Sequence, residues 1–392
     1  MKHLLKILLF GLFPFMMNAQ QSYPDSLRQA LNNASVDSIR YHLNIKLSDF
    51  YEEKNFDSSL YFAEQSILIA RKTNQKLAEA TALNSKAYQL LSIGKYGASL
   101  KCLMEALTIT ENPESEKNNW SFSFFISPMK HRLTILSITH HMYALLMKRT
   151  QNTEQEIFHY KEEIRISEQI ERQGGLQLAY MNLGNTYFNL NKLDTALEYA
   201  KRAASMAEQS GLKYYNGWNL GTLGDIYLKK KDEAFARQYY YAGIQNSKEQ
   251  KNLGSLIWNY DKITKYYLLK KEADSSLYYS KREFESVKSL GVTSNVRAYL
   301  ADAYENIYAA YKLKNQFDSA FKYQGLTVIT KDSVYKDQLK NLAEFQNLTF
   351  SEQLRLKNLE KEKVVYQNKV RTYFMLAGIG VLLLLAIIFY RN

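Results

Sequence analysis

The sequence predicts an all-α protein: a solenoid of about seven helical hairpins with a period of about 40 residues, then a long charged helix and one apolar C-terminal helix. Three observations carry this. The chain has only four prolines in 392 residues and none after Pro128, so nothing interrupts helices over most of its length. The stretch YMNLGNTYFNLNKLDTALEYAKRAASMA, 180–207, reads as two helices with a break between them, and its pattern recurs on both sides. The 18 residues from Tyr373 to Tyr390 carry no charge.

Within the hairpin, Tyr180, Leu183 and Tyr187 fall at i, i+3 and i+7 and share one face of the first helix. Gly184 allows close approach by the second helix, which presents Ala196, Ala200 and Ala203 as small knobs. Asn191 and Lys192 break the apolar pattern, and Asp194-Thr195 is expected to cap the second helix. A lone hairpin cannot bury its apolar face, so neighbours are required. They are found: Ala196 is matched by Glu156, Ala236 and Ser276, Gly184 by Gly224 and Thr264, and Tyr187 by Tyr227 and Tyr267. The motif LDTALEYA at 193–200 returns as FDSSLYFA, ADSSLYYS and FDSAFKYQ. Seven repeats are marked by Ser59, Ser99, Glu156, Ala196, Ala236, Ser276 and Ala320. Most of the 31 tyrosines belong to this pattern.

The spacing of Tyr180, Leu183-Gly184, Tyr187 and Ala196 resembles the tetratricopeptide repeat (TPR) consensus W-x2-L-G-x2-Y…A, with a period longer than the usual 34. The resemblance implies that the first helix of each repeat lines a concave groove. Projected onto this chain, that groove holds Trp218 and Trp258 in equivalent slots, with Asn182, Asn185, Asn189, Asp225, Lys229, Asp261, Lys262, Lys265, Asp302, Glu305 and Asn306 near them. Two indoles among mixed charges suit a peptide or protein segment. The paired Lys and Asn followed by Lys and Arg of the TPR carboxylate clamp are not reproduced, so that ligand is not carried over.

Before the repeats, residues 1–19 read as a secretory signal peptide, with basic Lys2 and Lys6, an apolar stretch from Ile7 to Met17, and Ala19 at the cleavage position. Its removal lowers the net charge from +12 to +10. Residues 20–40 form a cap, and the solenoid runs over 41–330. The marker spacing widens between Ser99 and Glu156, which places an insertion at about 111–130. There Trp120, Phe122, Phe124 and Phe125 either contact a partner or fold back onto the solenoid. The single cysteine, Cys102, excludes an internal disulfide and reads as a buried apolar residue. His140 and His141 point in different directions, and His140 takes the slot of Tyr180, so packing is expected there and no metal site.

From 331 to 371 the pattern is a charged stalk or coiled-coil helix, with Leu356, Leu359, Tyr366 and Val370 as a seam for a possible homodimer. Residues 373–390, flanked by Arg371 and Arg391, read as a transmembrane helix that leaves 391–392 in the cytoplasm and the repeats in the periplasm, anchored to the inner membrane. No P-loop, HExxH, GxSxG or kinase signature is present, and neither a cofactor nor catalysis is expected. The positive charge is spread along the chain, and export separates it from nucleic acid.

The order leader, repeats, charged helix and membrane helix resembles the sensor half of bacterial membrane-anchored TPR regulators, whose histidine-kinase or LuxR-type helix-turn-helix output domain is absent here. That resemblance implies a membrane-anchored, periplasm-facing TPR interaction module, the sensory part of a signal-transduction or transcription regulator. The alternative is a scaffold or assembly factor for envelope protein complexes.

Overall fold

The computed structural model describes residues 22–391 except 53, 121–126 and 291–293, and it describes no side chains for 294–295, 352–366, 370 and 374–391. Fifteen α-helices and one 3-10 turn make up the described residues, with no strand among them. Helix α1 (Tyr23–Asn33) precedes seven hairpins: α2 (Asp37–Tyr51) with α3 (Phe56–Lys72), α4 (Lys76–Ser92) with α5 (Tyr96–Glu111), α6 (Pro128–Arg149) with α7 (Thr153–Gln169), and α8 (Gln173–Asn189) with α9 (Leu193–Ser210). They continue as α10 (Asn216–Lys229) with α11 (Glu233–Glu249), α12 (Leu253–Leu269) with α13 (Ala273–Lys288), and α14 (Ser294–Leu313) with α15 (Phe317–Arg391).

All seven sequence markers lie in the second helix of a hairpin and all are buried, at most 4% exposed. At Gly184 an added Cβ would sit 3.1 Å from the Ala200 amide nitrogen and 3.3 Å from the Ala196 carbonyl, so the close approach read from the sequence is real. Repeats two to seven turn between their helices through one left-handed residue, five positions before the marker: Gly94, Gln151, Asn191, Lys231, Lys271 and Asn315. In each, its amide and the next reach back to carbonyls three and five residues earlier, as Asn191 to Phe188 at 2.9 Å and Lys192 to Tyr187 at 2.9 Å. This closes the carbonyl end of the first helix. In repeats four to seven a tyrosine of the first helix stacks on a tyrosine of the second: 187 on 199, 227 on 239, 267 on 279 and 311 on 323, with ring centroids 5.3 to 5.8 Å apart. The tyrosine content is therefore mainly packing, as the repeat pattern implied.

The cap expected at Asp194-Thr195 is a correction. Lys192 holds the cap position and makes no side-chain cap bond, while Asp194 lies in the first turn and pairs with Lys230 of the next repeat at 2.7 Å. Equivalent pairs, Glu233 with Lys270 and Asp274 with Lys314, continue along the solenoid edge. A carboxylate in the first turn is favourable beside the free amides, and the exposed pairs link neighbouring repeats along this edge.

In the 111–130 insertion, Pro113–Glu116 forms the 3-10 turn, held by Arg132, whose Nε donates to Glu116 at 2.7 Å and whose Nη1 donates to the Thr110 carbonyl at 2.7 Å. Trp120 folds back, with its ring 5.5 Å from that of Tyr41 and packed on the first core cluster. Phe122, Phe124 and Phe125 lie outside the described residues.

The stretch from 331, expected as a charged stalk or coiled-coil helix, begins differently. It continues the last repeat without a break in a 75-residue helix, about 110 Å long at 1.5 Å per residue. Its first part crosses to α5, where Phe345 is buried in the core of repeats one to three and Leu342 and Leu348 pack beside it. The physical reason is an apolar series at threefold spacing, Leu339, Leu342, Phe345 and Leu348, which winds about 60° per step around the helix, so that Leu342, Phe345 and Leu348 meet the apolar partner while Leu339 borders the cavity. The proposed seam, 356–370, lies outside the described side chains apart from exposed neighbours such as Lys369. Among the described residues no helix is long and apolar enough to cross a membrane. The membrane segment expected at 373–390 lies, from 374 on, outside the described side chains, and the leader at 1–19 lies outside the described residues.

Candidate functional site

The first helices of the hairpins face inward, and α15 crosses between the last repeat and the second, so the curved wall borders a half-open cavity of about 1050 Å³. Its lining runs from Asn84 and Gln89 on α4, through His141, Met142 and Lys148 on α6, Leu178, Asn182 and Asn185 on α8 and Trp218 on α10, to Trp258 on α12. Tyr335, Gln338, Leu339 and Leu342 of α15 complete the wall.

Six of the thirteen projected groove residues line it: Asn182, Asn185, Asn189, Trp218, Trp258 and Asp302. The two indoles touch with centroids 5.5 Å apart but are tilted by 46°, so they form an angled pair. Asn185 Oδ1 accepts from Lys148 Nζ at 3.0 Å and from Asn189 Nδ2 at 3.3 Å. Burial holds Lys148 below the usual lysine range.

The others serve as supports around it. Lys262 pairs with Asp225 at 2.8 Å and lies 4.2 Å from the Trp258 ring centre, which fixes that indole from behind. Lys265 pairs with Asp261 at 2.6 Å. Asn306 Nδ2 donates to Asp261 at 2.9 Å and to Glu283 at 2.8 Å, all three buried. Burial and the neighbouring Asp261 charge push Glu283 well above the ordinary carboxylate range and raise Asp302. Glu305 pairs with Lys331 at 2.8 Å, and Lys229 Nζ donates to Asn191 at 3.3 Å. Apart from the Lys265–Asp261 pair, which lies within α12, these contacts join different helices.

Sequence reading missed the contribution of repeats two and three and of α15. On the α6–α7 floor His141 Nδ1 lies 2.8 Å from Glu163, a fully buried carboxylate with Arg172 at 3.8 Å. Asn84 Oδ1, Gln89 Oε1 and Glu163 Oε1 are buried on this wall without a hydrogen-bond partner among the described residues. The signal that could have found α15 was its apolar series at 339–348. His140 is buried as expected of its slot, bonded Nδ1 to Nδ1 with His159 at 2.9 Å, and burial lowers both to about 4. Cys102 is buried and its thiol is pushed up to about 11. Among the described residues no group of three or more His, Cys, Asp or Glu is arranged to hold a metal ion.

The molecule is a helical-hairpin solenoid curved around an inner cavity. The profile of the SusR N-terminal TPR domain matches residues 16–122, and that of the tetratricopeptide repeat matches 178–210. The chain is a tetratricopeptide-repeat protein. A comparison with curated protein sequences gives no match. Among solved structures, the fold is similar to a Rap protein complexed with Competence and Sporulation Factor, at TM-score 0.56 and 17% identity over 80% of each chain. It is similar also to the apo form of RapI, at TM-score 0.53 and 13% identity over 76% of this chain and 99% of that one. A third is the Rap conjugation gene regulator of plasmid pLS20 in complex with the Phr* peptide, at TM-score 0.52 and 13% identity over 84% and 88%.

Proposed function

We propose that this TPR protein binds a peptide or protein segment inside this cavity, and that it is the sensory part of a membrane-anchored, periplasm-facing regulator. The observation that carries the reading is that one helix does two things. Residues 335–342 of α15 wall the cavity, and the same helix runs on to Arg391 through the apolar segment at 373–390. An occupant therefore touches the element that leads to the proposed membrane anchor. The cavity chemistry supports a peptide: indoles and Leu178 for apolar side chains, and amides of Asn182, Asn185 and Asn189 for a main chain. Two of the similar folds were solved with a peptide or factor bound, which supports the same class of partner.

Full-length protein in detergent, presented with a displayed library of random decapeptides, should enrich binders that lose at least about tenfold in affinity to the Trp218→Ala, Trp258→Ala double variant. Library peptides that bind both proteins equally, or none that bind, would overturn the cavity reading. Orientation is checked separately. Alkaline phosphatase joined after residue 330 should be active and joined after Asn392 inactive; the reverse pattern rejects the periplasmic assignment.

A further inference from the structure

Among the described residues, helix α5 is the second helix of a hairpin on which α15 crosses. Its sequence differs from its six counterparts where the crossing falls. Two positions before the marker the other repeats carry Asp57, Glu154, Asp194, Ala234, Asp274 and Asp318, while repeat two carries Gly97. A Cβ at Gly97 would already be in contact, 3.4 Å from Leu348 Cδ2 and 3.8 Å from the Glu344 carbonyl, so the carboxylate that five of its counterparts carry would have to be placed against α15. The left-handed slot tells the same story. Five repeats fill it with Gln, Asn or Lys, so the backbone angle alone does not demand glycine, yet repeat two has Gly94. There a Cβ would lie 2.3 Å from Asn341 Nδ2. Between these contacts Phe345 enters the core at 8% exposure.

From this we infer that residues Asn341–Leu348 of α15 form a clasp on α5 with docked and undocked states, and that an occupant of the cavity favours the docked one. The coupling follows from adjacency. Tyr335 and Leu339, 60% and 49% exposed, wall the cavity on the turns just before the clasp, so a ligand that covers them gains those contacts only while the clasp is docked. The ligand half of this rests on the cavity reading above; the clasp half is testable without a ligand.

The first experiment is hydrogen exchange on the full-length chain in detergent carrying Gly97→Asp. Helix propensity and the pattern of the other repeats both say that this change strengthens α5. The clasp predicts instead that amides of 335–350 exchange at least about tenfold faster, with α8 to α12 unchanged. Unchanged exchange in 335–350 would overturn it. The second uses Gly97→Cys with Leu348→Cys in a Cys102→Ser background. The Gly97 Cβ position lies 3.8 Å from Leu348 Cβ, within the span of a disulfide. Mild oxidation should join the pair, and failure to join overturns the docked geometry. Peptides selected as described above should bind Gly97→Asp about tenfold more weakly than the parent. Equal affinity for both, with faster exchange, rejects the coupling while the clasp and the cavity reading stand. Faster exchange with no library peptide bound at all keeps the clasp and rejects the peptide, and with it the proposed coupling.

Discussion

Single residues decide how tightly each hairpin closes. In repeat five the slot held by Ala200 in repeat four is taken by Tyr240, which is fully buried and donates its hydroxyl to Asp225 at 2.7 Å. The ring fits because Gly224 has no Cβ; one there would lie 2.4 Å from the ring edge. Gly224→Ala should cost about 1–3 kcal/mol through overpacking, despite the better helix propensity of alanine, read as a lower urea midpoint at unchanged m-value. Buried titratable groups set opposite pH dependences. Glu283 is raised in the fold, so its contribution is full below its unfolded pKa and is lost as pH rises through the folded value. Glu283→Gln, which can still accept from Asn306, should therefore raise the melting temperature at pH 8 more than at pH 5. His140 and His159 are lowered from 6.5 to about 4, so the stability they permit is full above pH 6.5 and is lost as pH falls towards 4. Repeat four holds Tyr180 and Tyr199 in these two slots with rings 5.9 Å apart. The variant His140→Tyr, His159→Tyr should flatten that acid limb in a melting series from pH 7 to pH 4.

At the scale of the element, the hairpin turn is built from a backbone angle more than from a residue type. Lys271 sits in the left-handed region at φ 58°, which costs an L-residue energy that glycine avoids. Lys271→Gly should add about 0.5–1 kcal/mol of stability in denaturant unfolding, because the relief exceeds the entropy glycine adds to the unfolded chain. Unchanged or lower stability would show that the turn bonds already hold this angle without strain. The inter-repeat pairs, such as Asp194 with Lys230, lie on the exposed edge and add little to stability.

At the scale of the whole molecule, the ring changes how disturbance spreads. In an open solenoid each repeat feels its neighbours, and the effect of a lesion decays along the chain. Here Leu103, fully buried in repeat two, shares a core cluster with Phe345 of α15. Leu103→Ala should cost about 2–5 kcal/mol locally and should lower amide protection in 341–348 while leaving α10 to α12 near their parent values. A smooth decay along the chain, with 341–348 the least affected, would mean that the ring is not closed in solution.

The sequence by itself determined the all-α class, the seven hairpins and the buried marker in each, because a hairpin's contacts are local and its small and aromatic residues recur at fixed spacing. It also pointed to the two indoles, whose equivalent slots follow from the same period. Which inward residues share one cavity, and which helix borders it, depends on contacts between repeats far apart in the chain. The glycines at 94 and 97 and the apolar series at 339–348 are far apart in the chain, and each alone reads as a turn or a solvated helix. Their meaning comes from a crossing set by the summed curvature of all seven repeats, a quantity that no single repeat's spacing contains.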